Sequence, residues 1–324
     1  MSTIAVFPGQ GSQKLGMGKE IADNFKLAKL VFDEVDEALG DNLFKIMNSD
    51  DEADLKLTRN AQPALMANSI AILRVLENIA GKKANNMFNF FAGHSLGEYT
   101  SLVASSSMKL SDAACLLRLR GDAMQSAVPV GEGAMTALIG VSIEEVERFI
   151  NLSGDLNGIV EIANDNAPGQ VVISGNINEV NKVSKIAKES GAKAAINLQV
   201  SAPFHCSLME PAKKIMKDAL NDIEFKEPKL PVISNVSAIP ETAPNILKEN
   251  LISQITKKVR WRETMLNLDR LGVISLLEIG SGSVLKGLAR RCLSGQKCDS
   301  IENINQINIW VENSLNWNLR YKYG

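Results

Sequence analysis

Short apolar runs alternate with amphipathic stretches along this chain, and their order predicts an α/β protein. Thr3-Ile4-Ala5-Val6-Phe7 reads as a buried strand that stops at Pro8. Apolar residues at helical spacing follow over 22–39 and 63–79, the second with Pro63 near a first turn. The run Met87 to Ala92 predicts another buried strand, and helices are expected over 96–105 and 111–125.

From about Gly131 to Leu198 the order becomes strand, helix, strand, strand, helix, strand. Strands are expected at 134–139, 159–163, 170–174 and 194–198, with a turn at Asn164 to Gly169. The two helices are one capped by Ser142 with Glu145 at the capping-box position, and one over 178–190 that stops at Gly191. That order is the split βαβ, ferredoxin-like arrangement. After residue 200 the α/β alternation resumes, with helices at 208–220, 246–255, 261–271 and 284–291 and strands at 231–234 and 273–278. The expected architecture is a hydrolase-like, mostly parallel sheet flanked by helices, formed by 1–130 and 199–298, with a ferredoxin-like (βαββαβ) subdomain inserted at 131–198. Residues 299–324, rich in Asn and carrying Trp310 and Trp317, read as a loosely attached tail.

Gly93-His94-Ser95-Leu96-Gly97 sits between an apolar run and a helix-forming run, the setting of a nucleophile elbow. Such a turn needs small flanking residues, because a Cβ there would strike the neighbouring strand or helix. Gly93 and Gly97 provide the clearance, and Ser95 is left exposed at a helix N-terminus, where backbone N–H groups favour an oxyanion. The bland alternative is a glycine-bounded turn with an N-capping serine. The chain has only two histidines, so a His-rich metal site is excluded and few bases are available to Ser95. His94 lies inside the turn and should project away, which leaves His205. The loop Gly9-Gln10-Gly11-Ser12-Gln13 has Lys14 where a dinucleotide fingerprint needs its third glycine.

With 324 residues, 45% of them hydrophobic, the chain can bury a large core. Lys+Arg 35 against Asp+Glu 37 gives a net charge of −2, so no global field draws it to nucleic acid or to a membrane. The N-terminal residues already read as a strand, with no targeting pattern, and no apolar run reaches membrane-spanning length. Cys115, Cys206, Cys292 and Cys298 fit neither a disulfide framework nor a C-x-x-C site, so they are expected as free thiols in a cytoplasmic protein.

Several separated motifs together carry a family resemblance. They are Phe7 to Gln13, Gly93-His94-Ser95-Leu96-Gly97-Glu98-Tyr99, Arg120-Gly121, Asn166-Ala167-Pro168-Gly169-Gln170, Pro203-Phe204-His205-Cys206, Asn235-Val236, and Gln254 ahead of Trp261. In this order they resemble the malonyl-CoA:acyl-carrier-protein transacylases of bacterial-type fatty acid synthesis and the acyltransferase domains of polyketide synthases, over residues 3 to about 298. The resemblance implies that Ser95 carries the acyl group with His205 as its base, and that a backbone carbonyl of the Gln254 loop orients the imidazole. It further implies oxyanion donors in the backbone N–H groups of Gln10 and Leu96, and Arg120 as the holder of the malonyl carboxylate. Read without it, Arg120 is a solvated helix residue, Gln10 and Gln254 are ordinary loop residues, and Asn166 and Asn235 are turn or supporting residues.

The implied reaction moves a malonyl group from malonyl-CoA to the phosphopantetheine thiol of acyl carrier protein, with no cofactor and no metal. The enzyme is expected as a monomer. A polyketide-type acyltransferase or a serine hydrolase are the alternatives. An acidic carrier protein would need a local basic patch, with candidates Lys257, Lys258, Arg260 and Arg262, or Lys286, Arg290 and Arg291. The family's late Gly-Pro-Gly turn is Gly280-Ser281-Gly282 here, and the tail matches nothing in the family.

Overall fold

A computed structural model describes residues 2–154, 157–200 and 202–320, the last six of these as backbone alone. Its strands are β1 (Ser2–Phe7), β2 (Phe90–Gly93), β3 (Gly133–Ile139), β4 (Val160–Ala167), β5 (Gln170–Asn176), β6 (Ala194–Asn197), β7 (Val232–Ile233), β8 (Pro240–Glu241), β9 (Val273–Ile279) and β10 (Lys297–Ile301). They form a six-stranded sheet in the order β10-β9-β1-β2-β7-β8 and a four-stranded sheet in the order β4-β5-β3-β6. The large sheet is parallel except for the β7–β8 pair, and the small one is antiparallel throughout. The expected fold class is borne out, including the ferredoxin-like order of the small sheet.

The central strands explain where a site can form. β1 and β2 are buried on both faces, as a parallel sheet covered by helices requires. They end in register, Phe7 opposite Gly93, so the Gln10 loop and the Ser95 turn leave the sheet side by side at its carboxyl edge. The helix Thr58–Ala80 packs behind them with seventeen buried residues.

The small sheet is tied, through the second half of β4, to the segment that leads into the helix Trp261–Arg270. The expected 164–169 turn is shorter, because the strand runs on to Ala167 before turning at Pro168-Gly169. The reason is a second partner: Asp165 N–H donates to Val259 O (2.9 Å) and Val259 N–H to Ala163 O (2.8 Å), and Arg262 Nε donates to the Asp165 carboxylate at 2.9 Å. Register shifts in β4 bend it away from β5 toward this partner.

Three sequence expectations need correction. The 22–39 helix is two helices, Lys19–Asn24 and Lys26–Leu39, broken at Phe25, which is extended (φ −132°). Pro63 lies inside its helix, which starts earlier, at Thr58. The segment from 299 is not loosely attached: 299–301 belong to β10, and Ile304–Arg320 is a helix that buries Ile307 and Val311. Trp310 stacks on Phe88 with ring centroids 6.0 Å apart, while the Trp317 side chain and residues 321–324 fall outside the described residues.

Candidate active site

Ser95 sits at the tip of the turn between β2 and the helix Gly97–Ala104, with φ +52°. That left-handed backbone is costly for a residue with a Cβ, and the packing around it leaves little choice. A Cβ on Gly93 would lie 1.9 Å from Gly97 O, and one on Gly97 would lie 2.3 Å from Phe7 O. The elbow is wedged under the β1 loop, and Ser95 N–H is held by Asn235 Oδ1 at 2.7 Å.

Ser95 Oγ lies 2.8 Å from His205 Nε2. The other ring nitrogen, Nδ1, faces Gln254 O at 2.8 Å, which sets the tautomer: Nδ1–H donates to the carbonyl, and Nε2 is the acceptor for the serine proton. Burial, followed by the nearby Arg120 charge, holds the His205 pKa down to about 3. The imidazole is therefore unprotonated at neutral pH. His94 turns away, its Nε2 2.8 Å from Asn166 Oδ1 and its ring edge-on to Trp261 at 5.5 Å.

Arg120 comes from the helix Leu110–Ser126 and is 1% exposed. Its Nη1 donates to Gln62 Oε1 (2.7 Å), and its Nη2 to Gln254 Oε1 (2.9 Å) and to Ser95 Oγ (3.1 Å). The Tyr99 ring lies 5.7 Å from its guanidinium carbon. Among the described residues no carboxylate forms an ion pair with Arg120. A buried guanidinium held by neutral oxygens beside a nucleophile can receive an anionic group.

Gln10 lies in the loop that follows β1, and Leu96 directly follows Ser95 in the turn. The Gln10 side chain donates to Thr58 Oγ1 at 3.2 Å, and Leu96 is buried just before the helix Gly97–Ala104. A cavity of about 390 Å³ opens beside Gln10, lined by Leu57, Thr58, Arg59, Gln199 and Val200.

Gln62 and Glu98 are site residues for which the sequence reading assigned no role. Gln62 is a buried polar residue on a helix that also buries Thr58, Asn60, Asn68 and Ser69, and a polar residue just before Pro63 was the available signal. The basic groups proposed for docking prove to be largely engaged internally. Arg260 pairs with Glu263, Arg262 with Asp165, Arg290 donates to Cys298 O and Arg291 to Pro168 O. Lys257 is exposed.

Among the described residues no group of three or more His, Cys, Asp or Glu could hold a metal ion, and no helix is long and apolar enough to cross a membrane. All four cysteines are unpaired.

The family model for the acyl transferase domain matches residues 4–308. The chain belongs to the acyl transferase domain family. It is similar to the malonyl CoA-acyl carrier protein transacylase of Bacillus subtilis (strain 168), 45% identical over 90% of each chain. It is also similar to the crystal structure of an acyl-carrier-protein S-malonyltransferase from Bartonella henselae. That likeness has a TM-score of 0.93 and 46% identity, and covers 96% of this chain and 99% of that one. A malonyl-transacylase solved in complex with a type II polyketide acyl-carrier protein matches with a TM-score of 0.92 and 39% identity, over 97% of this chain and all of that one. This acyltransferase match extends to residue 308, past the point at which the sequence motifs stop.

Proposed function

We propose that this acyltransferase moves a malonyl group from malonyl-CoA to the phosphopantetheine thiol of acyl carrier protein, through a malonyl ester on Ser95, and so supplies fatty acid synthesis. The observation that carries the reading is Ser95 Oγ lying between a neutral His205 at 2.8 Å and a buried Arg120 at 3.1 Å. A hydrolase of neutral esters has no use for that guanidinium.

In the first half-reaction Ser95 Oγ attacks the thioester carbonyl carbon while His205 Nε2 takes its proton. The Oγ–C bond forms, and negative charge collects on the carbonyl oxygen, opposite the N–H groups of Gln10 and Leu96. As the C–S bond breaks, His205 returns the proton to the leaving coenzyme A sulfur. The carrier-protein thiol then attacks the ester by the same route in reverse, giving up its proton to His205, which passes it to Ser95 Oγ. Arg120 holds the malonyl carboxylate through both steps. The Gln254 carbonyl stabilises the imidazolium that forms in each, in place of a triad carboxylate. The cavity beside Gln10 is the entry path for the pantetheine arm. No cofactor takes part, and the enzyme works as a monomer in the cytoplasm.

Intact-protein mass after brief mixing with malonyl-CoA tests the reading. A malonyl adduct on Ser95 that is discharged by carrier protein is expected. Release of free malonate without an adduct would favour the hydrolase.

A further inference from the structure

Glu98 is wholly buried beside the site, in the first turn of the helix that follows the nucleophile. Its Oε2 accepts from Gln254 Nε2 at 2.7 Å and from the Asn235 N–H at 3.0 Å. Each of those residues reaches the reacting atoms by another arm. Asn235 Oδ1 accepts from the Ser95 N–H and its Nδ2 donates to Gly93 O, both at 2.7 Å. Gln254 presents its backbone carbonyl to His205 and its Oε1 to Arg120.

A glutamine side chain has a donor end and an acceptor end of nearly the same shape. In the opposite orientation Gln254 would turn an NH₂ toward the Arg120 guanidinium, donor against donor. What prevents this is a set of acceptors at the far end, of which Glu98 Oε2 at 2.7 Å is the nearest and the one carboxyl oxygen, ahead of Ser95 O at 3.0 Å and Asn235 Oδ1 at 3.3 Å. We infer that Glu98 is the positioning residue that fixes the Gln254 amide and thereby aims Arg120 at the acyl carboxylate, so that it governs selection of a malonyl over a neutral acyl group. The inference rests on the malonyl-transfer reading and deepens it. Only the lone pairs of Oε2 are required. Burial raises the Glu98 carboxyl pKa, and a proton carried on Oε1 would leave both hydrogen bonds in place.

Glu98→Met keeps the side-chain volume and removes the acceptor, whereas Glu98→Gln can place a carbonyl oxygen where Oε2 lies. The readout is kcat/KM for malonyl-CoA over that for acetyl-CoA, with carrier protein as acceptor and thermal unfolding measured in parallel. In Glu98→Met the ratio should fall by about tenfold or more, the value of one misdirected hydrogen bond to a charged group. Glu98→Gln should return it to within about threefold of the parent, a difference well under one such bond. Equal loss toward both substrates in Glu98→Met would make the residue merely structural, and Glu98→Gln as damaging as Glu98→Met would assign the effect to charge; either overturns the inference. If Glu98→Met does not fold, Gln254→Met removes the oriented amide while keeping the carbonyl to His205. The same fall in ratio is expected there, and an unchanged ratio overturns the inference. Arg120→Ala in the same assay keeps the two readings apart. An unchanged ratio in that variant defeats malonyl recognition itself, whereas a fall there without one in Glu98→Met defeats only the role of Glu98.

Discussion

Replacing Arg120 with alanine separates recognition of the acyl group from the chemistry that moves it. The guanidinium is 1% exposed and is held by the side-chain oxygens of Gln62 and Gln254 at 2.7 and 2.9 Å. A malonyl carboxylate entering that pocket loses its water and finds its counter-charge only there. Removing one partner of a buried charge pair costs about 2–5 kcal/mol, which at about 1.4 kcal/mol per tenfold lowers kcat/KM for malonyl-CoA by roughly 30- to several-thousand-fold. Acetyl-CoA brings no carboxylate and loses only the 3.1 Å bond from Nη2 to Ser95 Oγ, worth about 1 kcal/mol. The malonyl-to-acetyl ratio should therefore fall by about 10². Both rates are read from the mass of the acylated carrier protein, with unfolding followed alongside because the change leaves two glutamine oxygens without their donor. Arg118→Ala is the control on the same helix: its guanidinium binds Asn60 (2.7 Å) and Asp41 (3.2 Å), away from Ser95, so stability should drop slightly and the ratio should hold. An unchanged ratio in Arg120→Ala would refute the assignment of malonyl as the acyl group.

Ser95→Ala should abolish the acyl-enzyme in intact mass spectra while leaving the unfolding temperature near that of the parent, since one oxygen is removed from a rigid turn. His205→Ala should slow acylation by about 10²–10⁴; a larger loss in folded His94→Ala would mean that the wrong imidazole had been chosen. The His205 pKa of about 3 lies below its ordinary unfolded value near 6.5, so between the two the unfolded chain binds more protons and stability rises with pH. That stability is complete above about pH 6.5 and is lost by roughly 1.4 kcal/mol per unit as pH falls toward 3. Urea unfolding at pH 7 and pH 5 should differ by about 2 kcal/mol on this account, with buried His94 acting in the same direction; an equal slope in His205→Gln would exclude the residue as a cause. Gly93→Ala places a Cβ against the Gly97 backbone and should cost about 4 kcal/mol or more, seen as loss of soluble, folded protein.

Local pattern was enough for much of this molecule. Apolar alternation and turn chemistry located both sheets and the inserted split βαβ order, because strand period and glycine stops are properties of adjacent residues. The elbow was legible for the same reason: Gly93 and Gly97 are steric requirements written within five positions. With only two histidines in the chain and one of them trapped in the turn, elimination led to His205 as the base. β10 went unread, since its Lys297-Cys298-Asp299-Ser300 is polar and becomes a strand only by lying along β9. The break at Phe25 and the start of the long helix at Thr58 were likewise decided by what the segments pack against.

The sequence by itself determined the fold class, the turn that exposes Ser95 and the scarcity of bases. Tertiary structure alone decided which polar groups meet. Arg118 and Arg120 are two residues apart on one helix and chemically identical, yet one faces Asp41 and the other Ser95, because 200° of helical rotation separates them and only the packed partner defines the inside. Gln62, Glu98, Asn235 and Gln254 lie on four separate segments, and their hydrogen bonds span up to 159 positions. No local periodicity records such a pairing. It exists because burial leaves each of these polar groups no water to bind, so each must find its partner across the fold.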